Sequence, residues 1–193
     1  MPDAADLVPG FAPETELERG VAEDPELLAG LAWGKPRKGH PEGTVGSHVA
    51  DLLATLDGKD YLEETRSALR FVALVHDGFK YREHEWLPKT GSNHHANRAR
   101  RFAEGYTDDE RLLATIEYHD RPYALWRKMR RRGKLDEGRF EEMIRRVPDP
   151  ELFLLFIELD GGSEGKNPEP IRWFREELGR RGLLGKSSVR HPP

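Results

Sequence analysis

The chain has 193 residues, but it contains no cysteine and no long apolar run. Without cysteine it can form neither disulfides nor thiolate metal sites, so any bound metal must have nitrogen and oxygen ligands. No apolar run approaches the roughly 20 residues that a transmembrane helix needs. The N-terminal sequence has neither the basic start nor the apolar core of a signal peptide. We therefore expect a cytoplasmic enzyme or binding protein that has no membrane partner.

Charged residues are abundant, but their signs nearly balance. They make up 34% of the chain against 36% apolar residues, with a net charge of −4, which is typical of a globular domain with a charged surface. Because the net charge is slightly negative, a polyanion would need a local basic patch. We expect one domain at residues 40–184, an N-terminal arm at 1–39 and a disordered tail at 185–193.

Apolar residues recur at helical spacing from Thr44 onward, and no segment alternates convincingly as a strand would. Gly58 and the pair Gly161-Gly162 end two of the predicted helices, and Asp149-Pro150 begins one. The pattern predicts an all-α protein.

Some helix boundaries can also be predicted. Asp24-Pro25 should begin one short helix in the N-terminal arm. A helix should start near Ser92-Asn93, and Thr107 with Glu110 matches a capping box in which Thr107 is the N-cap. Residues 123–146 are expected to continue as basic helix.

The most informative stretch is an apolar helical run that ends in the pair His76-Asp77 and is followed at once by Gly78. Histidine and aspartate both ligate hard or borderline metals, and neighbours at one helix end can reach the same ion. Other His and Asp residues lie on the apolar stripes of four further predicted helices. The candidate metal ligands are His48, His76, Asp77, His95, His119 and Asp160.

Polar groups on buried helix faces need partners. Each one buried without a partner costs about 1–3 kcal/mol, and an unpaired carboxylate costs more. Any single histidine of this kind is more often a hydrogen-bonded core residue or a surface residue than a ligand. Here, however, five helices each contribute an inward polar side chain. This pattern favours the interpretation that the side chains share one or two divalent ions. By contrast, His40, His84 and His191 are predicted to lie at the surface.

The order His, His-Asp, His, His, Asp resembles that of the HD-domain metal-dependent phosphohydrolase superfamily over roughly residues 40–162. Residues 40–48 are similar to the start of the HD domain attached to some bacterial tRNA nucleotidyltransferases. The run from His76 to Lys80 resembles the superfamily's His-Asp-x-x-Lys motif. We expect no nucleotidyltransferase domain before this segment, so the resemblance does not predict tRNA repair. The spacing before His95 is two residues longer than expected, which leaves His94 as an alternative ligand.

The resemblance implies two metal positions that share Asp77. The first would have His48, His76, Asp77 and Asp160 as ligands, and the second would have Asp77, His95 and His119. Members with this fuller ligand set often use iron or manganese, and nitrogen and oxygen ligands also suit cobalt, nickel or zinc. Two such ions can clamp phosphate oxygens and generate a nucleophilic water.

Three residues near the ligands are further candidates for function. Lys80 is at the place of the superfamily's lysine and could neutralise charge on a phosphoryl group in the transition state. Arg121 is a second candidate phosphate contact. Asp120 could either orient His119 or cap the next helix. Asp77, Lys80 and Arg121 are therefore the predicted catalytic residues.

A basic run covers residues 127–134. Such a run is usually a solvated helix face, and the acidic residues that follow offer it local ion pairs. Its functional alternative is a clamp for a polyphosphate or nucleic acid, with Tyr123 and Trp126 stacking on a base.

Together these features predict a single HD-like helical bundle with a metal site at its centre. The predicted activity is a metal-dependent phosphatase or phosphodiesterase. Its favoured substrate is a small phosphorylated molecule such as a nucleotide, and nucleic acid is less favoured. Two other functions fit the same residues: a dinuclear iron oxygenase of the same superfamily, and a non-catalytic sensor that binds a nucleotide.

Overall fold

The computed structural model of the protein describes residues 3–36, 43–162 and 166–185. His40, His191 and residues 186–193 of the predicted tail lie outside this part of the chain. Within it there is no β-strand, only an isolated bridge between Gly34 and Thr44, so the all-α prediction is confirmed. The helices are α1 (Ala4–Leu7), α2 (Glu16–Ala22), α3 (Pro25–Leu31), α4 (Val45–Asp57), α5 (Glu63–Val75), α6 (His95–Ala103), α7 (Glu110–Tyr118), α8 (Arg121–Arg132), α9 (Glu137–Arg146), α10 (Pro150–Gly161) and α11 (Glu169–Arg180).

Helix α5 lies at the middle of the bundle, where it packs against α4, α7 and α10. Two apolar clusters form the core. One joins helices α1–α7 with one side of α10, and the other joins the opposite side of α10 with residues of α7, α8, α9 and α11. Helix α10 is buried on most sides, with Phe153 and Phe156 fully enclosed. None of the helices in the described residues is long and apolar enough to cross a bilayer.

The N-terminal arm contributes more to the core than predicted. Only a single short helix was expected there, whereas the structure has three. Val8, Val21 and Leu31 are fully buried in the larger cluster. Glu18 of α2 and Arg70 of α5 also form a buried ion pair, with Nε and Oε1 2.8 Å apart. Because a buried pair of this kind is costly to separate, it fixes the arm against the central helix.

Two other boundaries differ from prediction. Residues 123–146 are mostly helical, as expected, but they form two helices, because Gly133 adopts φ = 75° and donates its N–H to the carbonyl of Met129, which ends α8. Thr107 is not an N-cap. Asp109 caps α7 instead by accepting from the Arg111 amide, while the Thr107 hydroxyl accepts from the amide of Asp109.

A close backbone contact holds the turn that carries His76 and Asp77. Gly30 of α3 lies so near Gly78 that a Cβ at position 30 would fall 1.6 Å from the Gly78 carbonyl oxygen. Only glycine allows this approach. The arm therefore supports the turn from which two of the predicted ligands project.

Candidate metal centre

The structure brings the predicted ligands together at the centre of the bundle. They project from α4, from the ends of α5 and α7, from the start of α6 and from α10. The buried ligands form two sets, and within each set the ligand atoms all lie within 4.8 Å of one another. The first set is His48, His76 and Asp77, and the second is Asp77, His95 and His119. Asp160 joins the first set through its Oδ1, which lies 2.9 Å from His48 Nε2.

The second set has a regular geometry. His95 Nε2 lies 3.3 Å from Asp77 Oδ1, and His119 Nε2 lies 3.5 Å from the same oxygen. The two imidazole nitrogens are 3.4 Å apart. Ligand atoms that bind one ion at about 2.1 Å lie about 3–4 Å from each other. The three atoms thus have the spacing of ligands that share one ion.

Hydrogen bonds on the outer side of three rings determine which nitrogen faces the centre. Nδ1 of His76 lies 2.9 Å from the carbonyl oxygen of Ala73, and Nδ1 of His119 lies 2.8 Å from that of Ile116. His95 places Nδ1 2.6 Å from Oε1 of Glu83. Because a carbonyl or carboxylate can only accept, each Nδ1 must donate, and in the neutral ring Nε2 carries the lone pair. When the three rings are neutral, as metal ligands must be, their lone pairs point toward the carboxylate of Asp77.

Two buried atoms at this point have no hydrogen-bond partner among the described residues, His76 Nε2 and Asp77 Oδ1. Leaving a buried acceptor unsatisfied costs about 1–3 kcal/mol. One or two cations bound at this point would satisfy both atoms. The buried groups are therefore able to hold a divalent metal ion, and their nitrogen and oxygen donors fit iron, manganese, cobalt, nickel or zinc.

The charge state of the centre also suits a cation. Burial lowers the pKa of His76 to about 4, so its ring is neutral at pH 7, as a metal ligand must be. Although burial works in the opposite direction, Lys80 and His76 hold the pKa of Asp77 well below its usual value. Burial also opposes protonation of His95, but the neighbouring Asp77 and Glu83 carboxylates raise the pKa of His95 to about 9. Protons and metal ions thus compete for the same imidazole nitrogens and carboxylates.

Glu83 contacts the candidate ligand His95 and could not be identified from the sequence. It accepts from the backbone N–H of His95 at 2.9 Å as well as from its ring, and its other oxygen pairs with Lys89 at 2.6 Å. A carboxylate behind a ligating imidazole fixes the ring orientation and makes the metal-facing nitrogen more basic. Glu83 lies in a loop, where no periodicity marks it.

Replacing Glu83 with glutamine should weaken metal binding at the second position about 10- to 100-fold, because His95 would lose its anionic partner. Titration with Mn²⁺ followed by equilibrium dialysis measures this change. Lys89→Ala is the matched control, since it removes only the exposed partner of Glu83 and should leave the affinity within about twofold. Equal affinities for Glu83→Gln and the unaltered protein would contradict the role assigned to Glu83.

The centre opens into a cavity of about 470 Å³. Ligand residues form one part of its wall, together with Lys80 and Lys166. The rest is mainly apolar or aromatic. Those residues are Pro122, Tyr123, Ile157, Pro170 and Ile171.

Two lysines place positive charge at the cavity. Lys80 forms an ion pair with Oδ2 of Asp77. Lys166 donates to the Asp160 carbonyl at 2.7 Å and approaches its Oδ1 at 3.3 Å. Lys80 was predicted at the rim of the site, whereas Lys166 lies in a loop and was not identified from the sequence.

Two predicted candidates, His94 and Arg121, are not among the described residues that line the cavity. His94 is the N-cap of α6, and its Nδ1 accepts from the Ala96 amide at 3.2 Å, so its proton is on Nε2. The structure therefore brings His95, not His94, to Asp77. Arg121 begins α8 with its guanidinium 5.8 Å from the centre of the Tyr118 ring, and it is not among the described residues that line the cavity.

Most basic residues of α8 are exposed, and none of them is among the described residues that line the cavity. Arg127 lies over the Tyr123 ring at 5.7 Å, and Lys128 pairs with Asp136. Tyr123 stacks on Trp126 with ring centres 6.2 Å apart. His84 is exposed, as predicted. A role of the basic run in substrate binding stays a prediction.

Comparison with protein-family models, with curated proteins and with solved structures finds no match to this chain.

Proposed function

We propose that this protein is a metal-dependent hydrolase of phosphate esters, related to the HD-domain superfamily that its ligand order resembles. One observation supports this most strongly: three buried imidazoles turn Nε2 toward one ionised carboxylate, and each is held by a hydrogen bond on its outer nitrogen. One or two divalent ions bound there would polarise phosphate oxygens and lower the pKa of a water molecule.

The lysines support a phosphorylated substrate. Lys80 and Lys166 both line the cavity beside the candidate ligands. Burial lowers the pKa of Lys80, but the neighbouring Asp77 outweighs this and raises it, so the ammonium stays charged at neutral pH. A fixed positive charge at this place can stabilise the negative charge that develops on a transferring phosphoryl group.

The remaining wall supports an organic ester over inorganic polyphosphate. Tyr123, Ile157 and Ile171 offer an apolar and aromatic surface next to the charged one. A nucleotide combines the two corresponding parts, because its base can stack on an aromatic ring while its phosphate meets the lysines. A nucleotide phosphatase or phosphodiesterase, acting in the cytoplasm, is therefore our proposed function.

The proposal is tested by loading the protein separately with Mn²⁺, Fe²⁺, Co²⁺, Ni²⁺ and Zn²⁺ and screening nucleotide mono- and diesters for phosphate release without oxygen. We expect turnover with at least one metal, its loss with a chelator and its loss in His119→Ala. His84→Ala replaces an exposed histidine and should remain active. Oxygen consumption in place of anaerobic hydrolysis would favour the oxygenase, and nucleotide binding without turnover in any metal would favour the sensor.

A further inference from the structure

Asp120 occupies a position where aspartate usually caps a helix, but it does not do so here. It immediately precedes α8, and its side chain makes no capping hydrogen bond within the described residues. Aspartates before α7, α9 and α10 each accept from an amide of the first helical turn. The backbone of Asp120 is itself helical, with φ = −77° and ψ = −18°, whereas an N-cap residue is normally extended. Its carboxylate is therefore available to another partner.

That carboxylate points to the metal centre. Asp120 Oδ2 lies 3.2 Å from His95 Nε2, and Oδ1 lies 3.6 Å from His119 Nε2. These are the nitrogens that face the centre, since each Nδ1 donates elsewhere. Asp120 therefore does not orient His119 from behind, which was one of the two roles expected from the sequence. Its carboxylate approaches Nε2 of both rings, and so does Oδ1 of Asp77.

A third imidazole also lies near the Asp120 carboxylate. His94 Nε2, which carries the proton of that ring, lies 3.7 Å from Oδ2. The side chain of Asp120 is 45% exposed, and the residue lines the cavity. One carboxylate thus contacts the second ligand set and the space that a substrate would enter.

We propose that Asp120 is a fourth protein ligand of the second metal position, beside Asp77, His95 and His119. This inference rests on the proposed function, because it requires a metal at that position. The resulting set has two imidazole nitrogens and two carboxylates, whose negative charges match a divalent ion. Such a set suits Fe²⁺, Mn²⁺ or Zn²⁺.

The test compares Mn²⁺ stoichiometry and affinity in the unaltered protein, Asp120→Asn and Asp120→Ser. Asparagine preserves the shape of the side chain without its charge, and serine is a good N-cap residue that cannot reach the centre. Asp136→Asn is the matched control, because Asp136 caps α9 by accepting from the Arg139 amide. Thermal melting of the metal-free proteins reports any general loss of structure.

We expect two ions per chain in the unaltered protein and in Asp136→Asn. Both Asp120 variants should keep one ion at unchanged affinity and bind the second more than about 100-fold more weakly, beyond the loss that an outer partner causes. Co²⁺ absorption should change in the same variants. Two ions bound by Asp120→Asn with affinities within about tenfold of normal would overturn the inference while the proposed function stands. A single ion in the unaltered protein would overturn it in the same way, and no bound ion at all would overturn both.

Discussion

Replacing Asp77 with alanine should remove both metal ions and lower phosphate release by about 1,000-fold or more, because this carboxylate belongs to both ligand sets. Its two oxygens face different groups. Oδ1 lies 3.3 and 3.5 Å from Nε2 of His95 and His119, and Oδ2 lies 3.5 Å from Nε2 of His76. Without Asp77, each position would lose the shared carboxylate and keep only one other, Asp160 at the first and Asp120 at the second, which is too little negative charge to hold a divalent ion tightly.

Metal content per chain and hydrolysis rate, measured on the same preparations, check this expectation. His48→Ala should weaken only the first position and His119→Ala only the second, so the loss of two ions is specific to Asp77. His84→Ala, at an exposed position, is the control for removing a histidine. Far-ultraviolet circular dichroism should remain close to that of the unaltered protein. Retained turnover or retained metal in Asp77→Ala would contradict the shared site.

Replacing Lys80 with alanine should reduce kcat about 100- to 1,000-fold while both metal ions stay bound. Its ammonium lines the cavity and pairs with an oxygen of Asp77, so it adds positive charge where a phosphoryl group would lie. Its removal leaves every candidate ligand in place. The change should therefore fall mainly on kcat and much less on metal affinity.

Steady-state kinetics with metal content measured in parallel separate these effects. Lys59→Ala removes an exposed lysine beyond the end of α4 and serves as the control. Lys80→Arg should restore part of the rate, because it keeps the charge but changes the geometry. Loss of bound metal equal to the loss of rate would show that Lys80 supports the centre and does not act on the substrate.

The ligands could be predicted because helical periodicity places polar residues on buried faces. His48, His95 and His119 share stripes with apolar residues, and a polar group there needs a partner. This argument needs no knowledge of tertiary structure. It also predicts convergence, because amphipathic helices of one domain direct their apolar faces to a common core.

The supporting residues could not be predicted in this way. Glu83 and Lys166 lie in loops, where side-chain direction depends on the path of the chain and leaves no periodic signal. Asp120 is ambiguous in the sequence, because aspartate before a helix is most often a cap, and only the folded structure places its carboxylate beside two imidazoles. Gly133 is not a clear helix end in the sequence, since the charged residues on both sides of it suit a helix equally well.

The most direct test of the account is anomalous scattering from crystals of the protein grown with Mn²⁺. The account predicts two peaks at the centre of the bundle, one beside His48 and His76 and one beside His95 and His119, with Asp77 between them. Density that shows these imidazoles and carboxylates bonded only to one another or to water, with no anomalous peak among them at saturating Mn²⁺, would contradict it.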